Sequence, residues 1–109
     1  MAASDEQSFD LEPQRVADLV ATGEAQLVDV RQPHEWDVGA VAGSLRIELD
    51  QLSSRADEIE KDRPVIFICR VGNRSGLAVD AFRASSYDAY NARGGVEAWA
   101  EAGLPLESG

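Results

Sequence analysis

A short, unbroken apolar run, Val65-Ile66-Phe67-Ile68, ends in the only cysteine of the chain, Cys69. Arg70, Val71, Gly72, Asn73, Arg74 and Ser75 follow directly, and then a helical pattern begins. A run of this length, bounded by the polar break Lys61-Asp62-Arg63-Pro64 and by a glycine-containing loop, is consistent with a fully buried strand. A buried strand that turns into a helix is the repeating unit of parallel α/β sheets. A strand that delivers a thiol to a turn at the mouth of a helix is also one way of making a reactive thiolate.

The rest of the chain supplies further units of the same kind. Phe9 to Leu11 predicts a short first strand. Pro13 suits the first turn of a helix, Val16, Leu19 and Val20 follow at helical spacing, and Gly23 closes a helix over 13–22. Ala25 to Val30 predicts a second strand with Asp29 inside its apolar run. Gln32-Pro33 breaks it, and His34 to Val38 predicts one helical turn before Gly39. Leu45-Arg46-Ile47 predicts a third strand, and Leu52, Ala56 and Ile59 among charges predict an amphipathic helix over 50–59. After Ser75, the residues Leu77, Ala78, Ala81 and Phe82 fall on one helical face, with Asp80 and Arg83 outside it. Tyr87 to Ala92 predicts the last strand, and Gly94-Gly95 turns into a final helix over 96–102 that ends at Gly103 and Pro105. This alternation predicts an α/β fold with a mostly parallel sheet of about five strands, one domain over 8–109 behind a polar tail at 1–7. Ligands of such sheets bind beyond the carboxyl ends of the strands, which is where Cys69 falls.

Composition narrows the function. The 109 residues are 44% hydrophobic and 28% charged, as in a globular domain with one core. No apolar run approaches the roughly 18–20 residues that span a bilayer, and the opening residues lack the features of a signal peptide, so the cytoplasm is the expected compartment. A single cysteine excludes an internal disulfide. With one histidine, His34, no Cys/His metal cluster can form, and no metal or cofactor is expected. A formal net charge of −10 makes nucleic acid and anionic membranes poor partners, and leaves a small anionic substrate dependent on local cations.

An ordinary cysteine titrates at about 8.5, so little thiolate exists at neutral pH. Several features here would lower that value. The N–H groups of residues 70–75 can curl into a nest around the sulfur. The helix beginning near Ser75 adds its positive end, with Ser75 a candidate cap, and Arg70 and Arg74 add permanent charges. Gly72 can take a positive φ and bring the backbone close to the sulfur. The alternative is an inert buried thiol, since free cysteine behaves as a small hydrophobe; two arginines and a glycine directly behind it weigh against that. Asp29 reads as a residue that fixes a turn through backbone or an arginine. His34, beside Glu35 and Asp37, reads as part of a solvated helical turn rather than as a general base.

Four segments carry a resemblance to a known family. They are Leu27-Val28-Asp29-Val30-Arg31 with Pro33, Glu35, Trp36 and Gly39; Val41 to Ile47, in part; Cys69 to Ser75; and Arg93 to Trp99 with Gly103-Leu104-Pro105. In this order and at these distances the chain resembles a single-domain rhodanese, a sulfurtransferase that carries sulfur as a cysteine persulfide. The resemblance implies a three-layer α/β/α sandwich and Cys69 as nucleophile. Arg70, Val71, Gly72, Asn73, Arg74 and Ser75 would form the persulfide cradle and anion-recognition loop. Asp29 and Arg31 would hold neighbouring turns, and Trp99 would pack behind the last helix. The implied reaction takes sulfur from a small anion such as thiosulfate and gives it to cyanide, a cellular thiol or a protein acceptor, with no cofactor beyond the persulfide. Ala40, Arg46 and Glu48 stand where the family commonly has histidine, asparagine and proline, so the pocket wall, and with it the donor preference, is expected to differ. Two other readings stay open: a carrier or docking module working with a partner protein, and a phosphatase or arsenate reductase of the same superfamily. The latter enzymes place arginine six positions after cysteine, where this chain has Ser75.

Overall fold

Side-chain alternation in Val65–Ile68 sets the layers of the molecule. In the computed structural model, which describes residues 9–108, Val65 and Phe67, with Cys69 beyond them, point to one face of the sheet, and Ile66 and Ile68 point to the other. All five are at most 1% exposed, so both faces are covered. The polar tail expected at 1–7 lies outside the described residues.

The elements run β1 (Asp10–Leu11), α1 (Pro13–Ala21), β2 (Gln26–Asp29), α2 (Pro33–Val38), β3 (Leu45–Arg46), β4 (Val65–Ile68), α3 (Asn73–Ala84), β5 (Ala89–Ala92) and α4 (Gly95–Glu101). Every strand pairing is parallel, in the order β1-β5-β4-β2-β3, which puts the cysteine-bearing strand at the centre. One core layer joins Val28, Val30, Phe67, Ala78, Val79 and Phe82 beneath α3. The other joins Val16, Leu27, Ile66, Ile68, Val96 and Trp99 beneath α1 and α4. Burying each large apolar side chain in these layers contributes about 1.5–3 kcal/mol. The result is the three-layer α/β/α sandwich with an all-parallel sheet.

Three expectations are corrected. Residues 50–59 do not form one amphipathic helix but two single 3₁₀ turns, Leu49–Gln51 and Ala56–Glu58. Leu52 and Ile59 are buried as the pattern required. The Ser54 hydroxyl, however, donates to the Gln51 carbonyl at 3.0 Å, the local competition that makes serine a poor helix interior. The helix after the loop begins at Asn73, not near Ser75, with Gly72 as its N-cap at φ +105°. Its buried face is accordingly Ser75, Ala78, Val79 and Phe82; Leu77 is 63% exposed and Ala81 is exposed too. Anchoring Ser75 inward rotates the helix away from the face its apolar residues alone would choose.

Candidate active site

The turn from β4 into α3 wraps the backbone around the sulfur. Cys69 Sγ accepts hydrogen bonds from the Gly72 N–H at 3.1 Å, the Ser75 N–H at 3.4 Å and the Ser75 hydroxyl at 3.3 Å. Gly72 makes this turn available because its φ of +105° is a region L side chains rarely adopt. Burial pushes the thiol pKa up, since a thiolate loses water there. The Ser75 hydroxyl and the N–H groups of Ser75, Gly72 and Val71 pull it down, and together they prevail: the Cys69 thiol titrates below its ordinary value. Ser75 is therefore not the helix cap that its place in the sequence implied. It lies inside the first turn of α3, fully buried, with its side chain on the sulfur.

Behind Ser75 stands Asn91 of β5, which the sequence reading missed. Its amide nitrogen donates to the Asp10 carboxylate at 3.1 Å and the Gly72 carbonyl at 3.3 Å, and these two acceptors fix which end of the amide is oxygen. The Asn91 carbonyl oxygen then faces the Ser75 hydroxyl at 2.5 Å. The only signal in the sequence was a buried amide inside an otherwise apolar strand.

The start of α4 braces the loop from the opposite side. The N–H groups of Val96 and Glu97 donate to the carbonyls of Cys69 and Arg70 at 2.8 and 3.1 Å. That approach requires Gly95, where a Cβ would run into the Cys69 carbonyl oxygen and the Arg70 carbonyl group. The double glycine was visible in the sequence; the backbone it had to accommodate was not.

Each of the two loop arginines is paired with a carboxylate from another element. Arg74 forms a bidentate pair with Glu35 of α2, at 2.8 and 2.9 Å, and Arg70 pairs with Glu97 at 2.9 Å. The Arg74 guanidinium holds the Glu35 carboxyl down at about 2. The same pairing, with a smaller contribution from the charge on Cys69, raises the pKa of Arg74. Glu35 is thus a support for the loop, a role not apparent from its place in a charged turn. Asp29 and Arg31 lie at the end of β2, 0% and 4% exposed. Arg31 Nε and Nη2 donate to the Asp29 carboxylate at 2.8–3.1 Å, and Nη2 also donates to the Gly39 carbonyl at 2.7 Å. This clamp holds α2, and with it Glu35, against the sheet. Arg46 is half-buried and pairs with Glu107 at 3.4 Å, while Ala40, fully buried, exchanges backbone hydrogen bonds with Glu107. His34 is exposed on α2, and Trp99 is buried against the sheet with its indole N–H on the Pro105 carbonyl at 2.9 Å. Among the described residues, no three or more His, Cys, Asp and Glu side chains converge as a metal would require. No helix among them is long and apolar enough to cross a membrane.

The arrangement offers one sulfur in a ring of hydrogen-bond donors. Comparisons with known proteins show the family of the chain. The family model of the rhodanese-like domain matches residues 12–102. A Bacillus subtilis protein, YqhL, is 41% identical over 76 residues, 69% of this chain and 60% of its own length. A protein from Allochromatium vinosum named as a sulfurtransferase is 39% identical over 85% of both chains. The thiosulfate sulfurtransferase GlpE of Actinobacillus succinogenes is 33% identical over 91% of this chain and 90% of its own. Among solved structures, a rhodanese-related protein from Thermoplasma volcanium superposes with a TM-score of 0.84 at 26% identity, covering 90% of this chain and 96% of the other.

Proposed function

The chain belongs to the rhodanese-like family, and on that premise we propose that it is a sulfurtransferase that carries sulfur as a persulfide on Cys69. The observation that supports this most directly is the set of donors on Cys69 Sγ, two backbone N–H groups and one hydroxyl. In the first step the thiolate attacks the outer sulfur of a donor. With thiosulfate, the donor named for the Actinobacillus relative, the S–S bond of the donor breaks and its electron pair leaves with sulfite. The new Cys69 persulfide carries one negative charge. An acceptor such as cyanide then attacks the outer sulfur, departs as thiocyanate and restores the thiolate. This is covalent catalysis in two half-reactions, and its signature is ping-pong kinetics. The same donors that favour the thiolate would stabilise the persulfide anion.

The geometry disfavours phosphoryl or arsenate chemistry. Such reactions need an arginine aimed across the loop at a tetrahedral oxyanion. Here Ser75 occupies the sixth position, and the guanidinium of Arg74 is committed to Glu35. The test is intact mass spectrometry after thiosulfate treatment. The protein should gain about 32 Da, one sulfur atom in this covalent scheme, and lose it on addition of cyanide. Cys69→Ser should gain nothing. A wild-type protein that takes sulfur from no donor, or that hydrolyses aryl phosphates without thiosulfate:cyanide activity, would overturn the proposal.

A further inference from the structure

We propose that the mouth of the Cys69 loop is a docking face for a protein that presents a persulfidated cysteine among basic and apolar residues. This rests on Cys69 being the sulfur-carrying residue, and it names the partner class that the surroundings of that sulfur fit.

The charge at the mouth is the first reason. Arg70 is tied to Glu97 at 2.9 Å and Arg74 to both oxygens of Glu35 at 2.8 and 2.9 Å, so each loop cation is matched by a carboxylate. Beside Arg74, Glu48 and Asp50 line a depression, and neither has an ion-pair partner among the described residues. The whole chain adds a formal charge of −10. A doubly charged inorganic anion approaches this mouth against the field, whereas a basic surface approaches along it.

The apolar residues are the second reason. Among the described residues, five large hydrophobic side chains are conspicuously exposed; one lies in the loop, two share a depression with Arg70, and a fourth lies on a neighbouring groove. Val71, 42% exposed, is the one in the loop. Leu77, 63% exposed, borders a groove of about 510 Å³ that it shares with Leu49 and Leu52. Leu49 and Asp50 continue that groove into the depression beside Arg74. On the opposite flank, Val38 and Leu106, 86% and 36% exposed, share a depression with Arg70 and Glu35. Hydrophobic residues scattered singly over a surface need no explanation, but a cluster around one mouth, edged with carboxylates, matches a protein surface rather than a three-oxygen anion.

The exchange on this face is balanced. The Cys69 thiolate attacks the outer sulfur of the partner's persulfide, a bond forms between the two sulfurs, and the partner's own S–S bond breaks. The electron pair goes to the partner's cysteine, which leaves as thiolate, and the proton of the persulfide stays on the transferred sulfur. Nothing is oxidised or reduced overall.

The test uses three synthetic donors, each bearing one cysteine persulfide: a peptide flanked by lysine and leucine, the same peptide with glutamate in place of lysine, and the neutral persulfide of N-acetylcysteine amide. Sulfur loading of Cys69 is followed by intact mass. The basic peptide should load the protein at least about tenfold faster than the acidic one, and the gap should close as salt is raised. The ratio of basic peptide to neutral small persulfide should fall in Asp50→Asn and in Leu77→Ser, each measured against the small persulfide on the same variant. Equal loading by the two peptides, or ratios unchanged in both variants, would overturn the docking face while leaving the sulfurtransferase reading in place. A stable dimer that Leu77→Ser converts to monomer would also overturn it, because the face would then belong to a second copy. Failure of all three persulfides and of thiosulfate to load the wild type would instead remove the sulfurtransferase reading, and the docking face with it.

Discussion

Ser75 has one hydroxyl proton and two groups placed to receive it. Asn91 Oδ1 stands at 2.5 Å and Cys69 Sγ at 3.3 Å. With a protonated thiol, the S–H can donate to Ser75 Oγ while the hydroxyl donates to Asn91. With a thiolate, the hydroxyl can turn to the sulfur, at the cost of the Asn91 bond. The pull that the Ser75 hydroxyl exerts on the thiol pKa is therefore a competition, whereas the backbone N–H groups of Ser75, Gly72 and Val71 face no such choice. In Ser75→Ala the N–H groups remain and the hydroxyl is lost, so the Cys69 pKa should rise. One hydrogen bond to a charged group carries about 1.5–3 kcal/mol, of which the forfeited Asn91 bond offsets about 0.5–1.5, so alkylation by iodoacetamide at neutral pH should slow about tenfold. The measurement is the pH profile of alkylation; an unmoved profile would assign the lowered pKa to the backbone nest alone. None of this was readable from Cys69, Gly72 and Ser75 as letters, because the orientation of a hydroxyl depends on a strand sixteen residues away.

At the scale of elements, the loop is a joint between two helices rather than a lone turn. Helix α3 brings the Ser75 N–H and hydroxyl to the sulfur, and the first turn of α4 brings N–H donors to the Cys69 and Arg70 carbonyls. Gly95 makes the second contact possible and also sits at φ +63°. Gly103, at φ +79°, faces open space. The two glycines separate conformational cost from contact cost. Gly103→Ala should cost about 1 kcal/mol, from the left-handed conformation alone. Gly95→Ala should cost about 2–4 kcal/mol, because the added methyl also forces the backbone of α4 off the loop. Denaturant midpoints measure both. Equal losses would show that the close approach of α4 carries no stability of its own.

At the scale of the whole molecule, the carboxyl ends of the strands are held together by charge as well as by the core. The Arg31–Asp29 clamp and the Arg74–Glu35 pair together connect β2, α2 and α3 around the mouth. Glu35 is lowered from 4.5 to about 2 in the folded protein, chiefly by its hydrogen bonds to Arg74. A carboxyl lowered on folding contributes stability that is complete above its unfolded value of 4.5 and is lost as pH falls towards 2. Arg74 is 35% open to solvent, so screening leaves the contribution at about 1 kcal/mol. Glu35→Gln should therefore lower stability by about that amount at neutral pH, with the difference vanishing by pH 2. Denaturant unfolding at a series of pH values checks it, and a difference that persists undiminished in acid would mean the pair acts through packing instead of charge.

The sequence by itself determined the α/β fold with its parallel sheet, the central strand and the placement of Cys69 at its carboxyl end. Those features depend on local periodicity and on glycine and proline punctuation, which neighbouring residues carry. It also marked Asp29 as a residue that fixes a turn, with Arg31 marked by the family resemblance; that the two pair with each other is a finding of the structure. It misjudged residues 50–59, where the apolar spacing outweighed a serine hydroxyl that competes locally with the helix ladder, and the rotation of α3, which depends on a Ser75 drawn inward by the sulfur. Only the tertiary structure decided the partners at the mouth. Glu35 reaches Arg74 across 39 residues and Glu97 reaches Arg70 across 27, and no spacing rule links them. The cations expected to face an incoming anion are neutralised in the fold, because carboxylates from other elements come within hydrogen-bonding distance before any ligand does.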